Sequence, residues 1–223
     1  MYYDCNMQLK INDYAPNFNA KTTEGNINFH KWANNSWVVL FSHPKDFTPV
    51  CTTELGYLAK ISGEFSSRNC KIIGLSIDGI DDHVEWLKDI EETQGSKVDY
   101  PLIADEKLEI AKLYNMLPAE ENPGEKRTAL TNATVRSIFL IDPDKKIKMM
   151  LTYPMTTGRD FDEILRVLDS IQLTNKYKVA TPANWKNGDD VIIVPAVSDS
   201  EADKLFPDGY KKIKSYLRTT KQP

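Results

Sequence analysis

The chain has 223 residues and a formal net charge of −4, with 41% hydrophobic and 27% charged residues. This balance supports a packed core, and it disfavours a general nucleic-acid binder, which needs a basic surface. No apolar run approaches the roughly 18 residues of a membrane span, and the N-terminal stretch Met1-Tyr-Tyr-Asp-Cys-Asn-Met7 lacks the apolar segment of a secretory signal. The three cysteines, Cys5, Cys51 and Cys70, form no even disulfide framework, so a reducing, cytoplasmic setting is expected.

Trp37 to Ser42 is a short apolar run and predicts a buried strand. Leu55, Leu58, Ala59 and Phe65 then fall on one helical face. Ile72 to Ile77 predicts a second strand, and Asp81 or Asp82 can cap a helix carrying Val84, Leu87 and Ile90. Pro101 to Ala104 reads as a short strand and Lys107 to Tyr114 as a helix. Leu117 to Asn132, with two prolines, a glycine and many charges, reads as a loop. Arg136 to Ile141 is a strand, residues 142–145 a turn, and Ile147 to Leu151 the returning arm of a hairpin. Phe161, Ile164, Leu165, Leu168 and Ile171 make the clearest amphipathic helix. Beyond Thr174 the pattern weakens. It predicts a small module with a strand at Val191 to Val194 and a helix at Ser200 to Leu205. The alternation of strands and helices indicates an α/β sheet with helices on its faces.

The chemistry concentrates in His43-Pro-Lys-Asp-Phe-Thr-Pro-Val-Cys-Thr-Thr-Glu54, between the first strand and the helix of Leu55 and Leu58. Threonine is a favoured N-cap, and proline suits the first helical position. Cys51 is then the third helical residue, where a capping box places a glutamate and an anion meets free N–H groups. That placement favours thiolate over thiol. Ionisation alone does little. A free cysteine of pKa ~8.5 is about 3% thiolate at pH 7, so full ionisation gains roughly 30-fold at most. The accompanying loss of nucleophilicity returns about tenfold of it. A working site must also hold its substrate in line and stabilise charge on the departing atom. The bland alternative is that Cys51 is a small buried hydrophobe.

Pro44-x-x-x-Thr48-x-x-Cys51 resembles the active-site signature of the peroxiredoxins, and Glu54 stands where that family has a glutamate. Arg136, at the start of a later strand, and Arg159, within Thr156-Thr-Gly-Arg-Asp-Phe, match the family's two arginines. The run from His43 to Leu55 and the segment Ala180-Thr-Pro-Ala-Asn-Trp185 are similar to the one-cysteine subgroup. The resemblance extends from Ala15-Pro-Asn-Phe18 to the C-terminus. It implies a thioredoxin-like α/β fold over residues 1–175, a central mixed sheet flanked by helices, and a C-terminal extension over 176–223. It also implies a homodimer and a peroxidase with no cofactor beyond an external thiol, such as glutathione or a thioredoxin-type protein. Cys51 is then the residue that attacks peroxide, Thr48 bonds thiolate and peroxide, Arg136 supplies positive charge, and Pro44 shields the site. Glu54 and Arg159 order the arginine, and His43 contacts substrate or sulfur.

No cysteine follows Cys70, so reduction of an oxidised Cys51 is expected to come from an external thiol, the alternative being an unusual partner within the chain such as Cys5 acting across a dimer. Cys70 reads as structural and Cys5 as part of a mobile tail. Without a fast internal partner, a sulfenic acid persists and is open to overoxidation. The resemblance raises a second activity, since mammalian relatives are associated with a phospholipase activity whose matching residues are His30, Ser36 and Asp144. Asn34-Asn-Ser-Trp-Val38 lacks both glycines of a hydrolase elbow, which weakens that reading. A chaperone or signalling role as an oligomer is a third. The three histidines, His30, His43 and His83, show no metal-ligand spacing, so no metal is expected. No nucleotide motif occurs, and Lys211-Lys-Ile-Lys214 reads as a solvated face.

Overall fold

The computed structural model describes residues 8–119 and 133–223. Cys5 and most of the loop expected at 117–132 lie outside them. The chain divides into two compact units, Met1–Arg159 and Asp160–Pro223. This division precedes the expected junction at 175/176 and assigns the amphipathic helix to the C-terminal unit.

The first unit contains β1 (Asn19–Thr22), β2 (Gly25–Asn28), α1 (Phe29–Ala33), β3 (Trp37–Ser42), α2 (Pro49–Lys60) and α3 (Ser62–Ser67). It continues with β4 (Cys70–Ser76), α4 (Ile80–Gln94), β5 (Leu102–Ala104), α5 (Glu109–Leu113), β6 (Arg136–Ile141) and β7 (Ile147–Tyr153). Its seven-stranded sheet has the order β2-β1-β5-β4-β3-β6-β7. β3 runs parallel to β4 and antiparallel to β6, so the sheet is mixed, as expected. β3 and β6 are buried along their whole length, the pattern of central strands covered on both faces.

Several local expectations change. The helix of Leu55 and Leu58 ends at Lys60. Ile61, at φ −106° and ψ 10°, breaks the run and leaves Phe65 to the separate α3. α4 is capped by Gly79 rather than Asp81 or Asp82, which occupy its first turn and favour its positive end. Its buried face is His83, Trp86 and Ile90, whereas Val84 is 44% exposed. The β1–β2 hairpin and α1 were not foreseen. Gly25 takes φ 102° at the turn, where a side chain would be strained.

The second unit holds α6 (Phe161–Lys176), β8 (Val179–Ala180), β9 (Val191–Ile193), α7 (Asp199–Leu205), β10 (Lys211–Lys214) and β11 (Leu217–Thr220). The Asp160 side chain caps α6 by accepting from the N–H groups of Asp162 and Glu163. Four strands in the order β10-β11-β9-β8 form an antiparallel sheet. Its own core gathers Val179, Trp185, Val191, Ile193, Val197, Ala202 and Phe206. All of β10 is exposed, as the charge cluster implied.

Candidate active site

β3 delivers the chain to Ser42, and α2 carries it away from Pro49. Between them Phe47 adopts φ 55°, a conformation that a bulky side chain rarely takes, and such strain collects at functional sites. Thr48 is extended, at φ −118° and ψ 145°, and Pro49 occupies the first helical position. Cys51 is the third helical residue and is fully buried. The Thr48 hydroxyl does not cap the helix. It donates to the Lys45 carbonyl at 2.8 Å, which leaves its lone pairs to accept and the first turn without a side-chain cap. Pro44 is buried at the head of the loop.

Glu54, one turn beyond Cys51, is 4% exposed and lies between two arginines. Arg136, the first residue of β6, directs Nη1 at Cys51 Sγ (3.4 Å) and at Glu54 Oε2 (2.6 Å). Its Nε and Nη2 both donate to the Met155 carbonyl, at 2.8 and 2.6 Å. The guanidinium is therefore clamped along one edge while the other faces the sulfur. Arg159 donates through its backbone N–H and Nε to Glu54 Oε1 (2.8 and 2.9 Å) and through Nη2 to Oε2 (2.7 Å). Its Nη1 reaches the carbonyls of Ser42 and Ser137, at the adjoining ends of β3 and β6. Burial raises the Glu54 carboxyl, but the hydrogen bonds and charge of Arg159, joined by Arg136, outweigh it and hold the pKa below the ordinary range. The Arg159 guanidinium also lies 5.1 Å from the Phe41 ring centre. Phe41 fits there because position 74 is glycine. A Cβ at Gly74 would stand 2.9 Å from the Phe41 ring and 2.7 Å from Leu102.

A second buried cluster lies on the same loop. His43 Nε2 meets Asp46 Oδ1 at 2.7 Å, and the other carboxylate oxygen meets His83 Nδ1 at 2.5 Å. His83 Nε2 lies 3.1 Å from the Ile103 carbonyl. The Asp46 N–H donates to Asp78, which also accepts from the Ser76 hydroxyl. Burial raises the Asp46 carboxyl, but hydrogen bonds from His43 and His83 prevail and bring its pKa to about 2. Burial would lower both imidazoles. It prevails at His43, whereas the Asp46 hydrogen bond and charge prevail at His83 and raise it. The metal-free expectation rested on spacing along the sequence, and the fold brings these three residues together regardless. Donors around a tetrahedral Zn²⁺ stand roughly 3.4 Å apart, given metal–ligand bonds of ~2.1 Å. The contacts at 2.5 and 2.7 Å are those of shared protons.

Asp46, His83 and the Met155 carbonyl were not singled out from the sequence. The signal for His83 was present, because it shares the spacing of Trp86 and Ile90 on α4. The Cys70 thiol, in the first residue of β4, is buried, and its pKa is pushed up to about 12, so it stays a thiol. Ser36 donates to Asn69 Oδ1 (3.0 Å), His30 Nε2 is engaged by the Ala15 carbonyl (2.8 Å), and Asp144 is exposed on its turn. The Ser36 hydroxyl thus points to an amide rather than to a general base.

Residues 11–150 match the AhpC/TSA family, and residues 170–209 match the C-terminal domain of 1-Cys peroxiredoxin. A 1-Cys peroxiredoxin of Dictyostelium discoideum is 55% identical over 96% of this chain and 86% of its own length. Peroxiredoxin-6 of Homo sapiens is 50% identical over 96% of this chain and 98% of its own. Among solved structures, a cysteine-to-serine mutant of peroxiredoxin 6 from Arenicola marina superposes with a TM-score of 0.88 at 48% identity, covering 96% of this chain and 99% of that one. A yeast mitochondrial 1-Cys peroxiredoxin, solved to explain thiol resolution by the glutathione and thioredoxin systems, gives 0.86 at 49% identity, covering 96% and 100%.

Proposed function

The chain belongs to the AhpC/TSA family and to its one-cysteine peroxiredoxin branch, so it is a thiol-dependent peroxidase, and we propose that Cys51 is its peroxidatic residue, with Arg136, Thr48 and Pro44 completing the site. One observation carries this assignment: Arg136 Nη1 lies 3.4 Å from Cys51 Sγ, with the rest of the guanidinium clamped. A fixed cation at that distance stabilises negative charge on sulfur and then on the peroxide oxygen that departs. Glu54 and Arg159 are the residues that hold it, and His43 contributes an acceptor for the peroxide or the sulfenic acid.

In the reaction, the Cys51 thiolate attacks one peroxide oxygen and the O–O bond breaks. Sulfur gives up two electrons and becomes S–OH. The second oxygen leaves as hydroxide or alkoxide and takes up a proton, giving water or an alcohol. Thr48, whose hydroxyl proton is committed to Lys45, accepts the hydrogen bond of the incoming O–H. A first external thiol condenses with the sulfenic acid, releasing water and leaving a mixed disulfide, and a second thiol releases the cysteine. Glutathione or a thioredoxin-type protein fills that role in the proposal, hydrogen peroxide and small alkyl hydroperoxides are the substrates, and no cofactor takes part. Turnover coupled to each reductant in turn identifies the reductant.

The cytoplasm, where free thiols persist, is the proposed compartment, and imaging of the tagged chain checks it. The proposed oligomer is a homodimer. β7 is an edge of its sheet and carries the half-buried Met149, Met150 and Leu151, a surface suited to a second copy. A monomeric mass by light scattering at micromolar concentration overturns it.

Stopped-flow oxidation of the reduced protein by hydrogen peroxide tests the central assignment, using tryptophan fluorescence and mass spectrometry of the modified sulfur. Cys51→Ser is expected to abolish the fast phase, whereas Cys5→Ser and Cys70→Ser retain it. An undiminished fast phase in Cys51→Ser overturns the assignment.

A further inference from the structure

We infer that His83, on α4 and outside the Cys51 loop, is a positioning residue for the peroxidase: through Asp46 it fixes His43 in the Nε2–H tautomer and keeps the His43 Nδ1 lone pair open. The inference rests on the reading above that His43 meets the peroxide or the oxidised sulfur.

The tautomers follow from which atoms are able to donate. The Ile103 carbonyl only accepts, so His83 Nε2 carries a proton. His83 Nδ1 faces a carboxylate oxygen at 2.5 Å, and two lone pairs cannot meet at that distance, so a proton lies between them. Asp46 is held far below the ordinary carboxylate range, which assigns that proton to His83 and makes it an imidazolium. An ionised Asp46 only accepts, so at the 2.7 Å contact the proton belongs to His43 Nε2. Burial keeps His43 neutral, which leaves Nδ1 unprotonated.

That Nδ1 is the one buried side-chain nitrogen or oxygen without a hydrogen-bond partner among the described residues, although its residue is fully buried. Buried polar atoms are nearly always paired, and an unpaired one costs roughly 1–3 kcal/mol. An acceptor left open on the loop between β3 and Cys51 matches what the catalytic cycle supplies, first a peroxide O–H and then S–O–H. The ring packs on Trp86 at 5.2 Å, and Trp86 Nε1 donates to Thr52, the neighbour of Cys51 on α2. Without the His83 proton, the carboxylate would be free to turn or to take a proton itself, and His43 could exchange tautomers.

The charged and titratable groups facing this cluster are few. The loop after β3 presents Asp46, the end of β3 presents His43, and the turn after β4 presents Asp78, whose charge acts on both imidazoles. β5 presents the Ile103 carbonyl, and α2 presents the neutral Thr52 by way of Trp86. His83 therefore responds to Asp46 and Asp78. Since its pKa is raised above 6.5, the arrangement is complete below that pH and loosens as pH rises through the raised value.

The test compares the full-length reduced wild type, His83→Gln, His43→Gln and the double variant in single-turnover oxidation of Cys51 by hydrogen peroxide across pH. Glutamine at position 83 keeps a neutral donor toward Asp46 but not the charge. His83→Gln is expected to slow oxidation about tenfold, the loss of a charge-assisted hydrogen bond, and to remove the alkaline decline of the wild-type rate. In the His43→Gln background the same change is expected to cost nothing further, because both residues act through one group. Imidazole ¹⁵N spectra of His43 should show a protonated Nε2 and a bare Nδ1 in wild type, and a tautomer mixture in His83→Gln. Independent losses in the double variant, or an unchanged His43 spectrum in His83→Gln, overturn the inference. A wild type that does not oxidise at Cys51 counts against the peroxidatic assignment instead, and the ¹⁵N spectra still decide the tautomer.

Discussion

Two carboxylates flank the Cys51 turn, and each bridges two nitrogen bases, yet they behave differently. Glu54 bridges Arg136 and Arg159, which stay charged at any pH the protein meets. Asp46 bridges His43 and His83, one neutral and one charged, and the environment decides which is which. The arginine cluster supplies fixed charge in a rigid fork and holds it against the sulfur. The histidine cluster supplies a defined proton arrangement. Charge that must not vary is built from arginine, and an acceptor that must stay bare is built from a tautomer.

The largest expected effect comes from removing the carboxylate of the arginine cluster. Glu54→Ala leaves two buried guanidinium groups without their anion, and breaking such a network is expected to lower unfolding stability by about 3–5 kcal/mol in urea titrations. A loss under about 1 kcal/mol would show that the arginines find other partners. Next is the aim of the fork. Arg136→Lys keeps the charge but cannot hold the Met155 carbonyl, Glu54 and the sulfur together. Oxidation of Cys51 is expected to slow roughly 100-fold, the scale of losing one oriented donor to a developing negative charge. A rate within a few-fold of wild type would mean that charge alone suffices and that the clamp is dispensable.

The two clusters also differ in how far the sequence disclosed them. Cys51, Glu54, Arg136 and Arg159 were legible because a helix-start signal and separated motifs, matched to a known family, named each one. Asp46 sits inside the same motif, but its role depends on His83, 37 residues away, which no local pattern connects to it. Of the expected face of α4, Ile90 is buried and Leu87 half-buried but Val84 is exposed, and hydrophobic periodicity passes over His83, which is buried against a carboxylate. Central β3, β4 and β6 were readable as apolar runs. The β1–β2 hairpin was not, since Asn-Ala-Lys-Thr and Gly-Asn-Ile-Asn carry little hydrophobic signal and form at the outer end of the sheet. The break at Ile61 was hidden for a related reason: Phe65 is buried like its predecessors, so its burial does not disclose that a second helix carries it.

The smallest effect is the one that separates the clusters by pH. Asp46 has a pKa of about 2 in the fold against 3.8 ordinarily, so its ionised form favours the native state. The sign follows: this stability is present above pH 3.8 and is lost as pH falls from there toward 2. Such a shift corresponds to about 2 kcal/mol, and the near-complete burial of the pair means that solvent screening reduces it little. Its partner gives the other limit. His83 has a raised pKa, so its contribution is complete below 6.5 and is lost as pH climbs through the raised value. Urea titrations of wild type and Asp46→Asn should therefore differ most between about pH 3.8 and 6.5, and the difference should narrow on both the acid and the alkaline side of that window. Wild type against Glu54→Gln should narrow on the acid side only, because the arginines do not release their protons. If the Asp46→Asn difference is flat up to alkaline pH, His83 is not the cation of the pair, and the contrast between a fixed cluster and a titrating one fails.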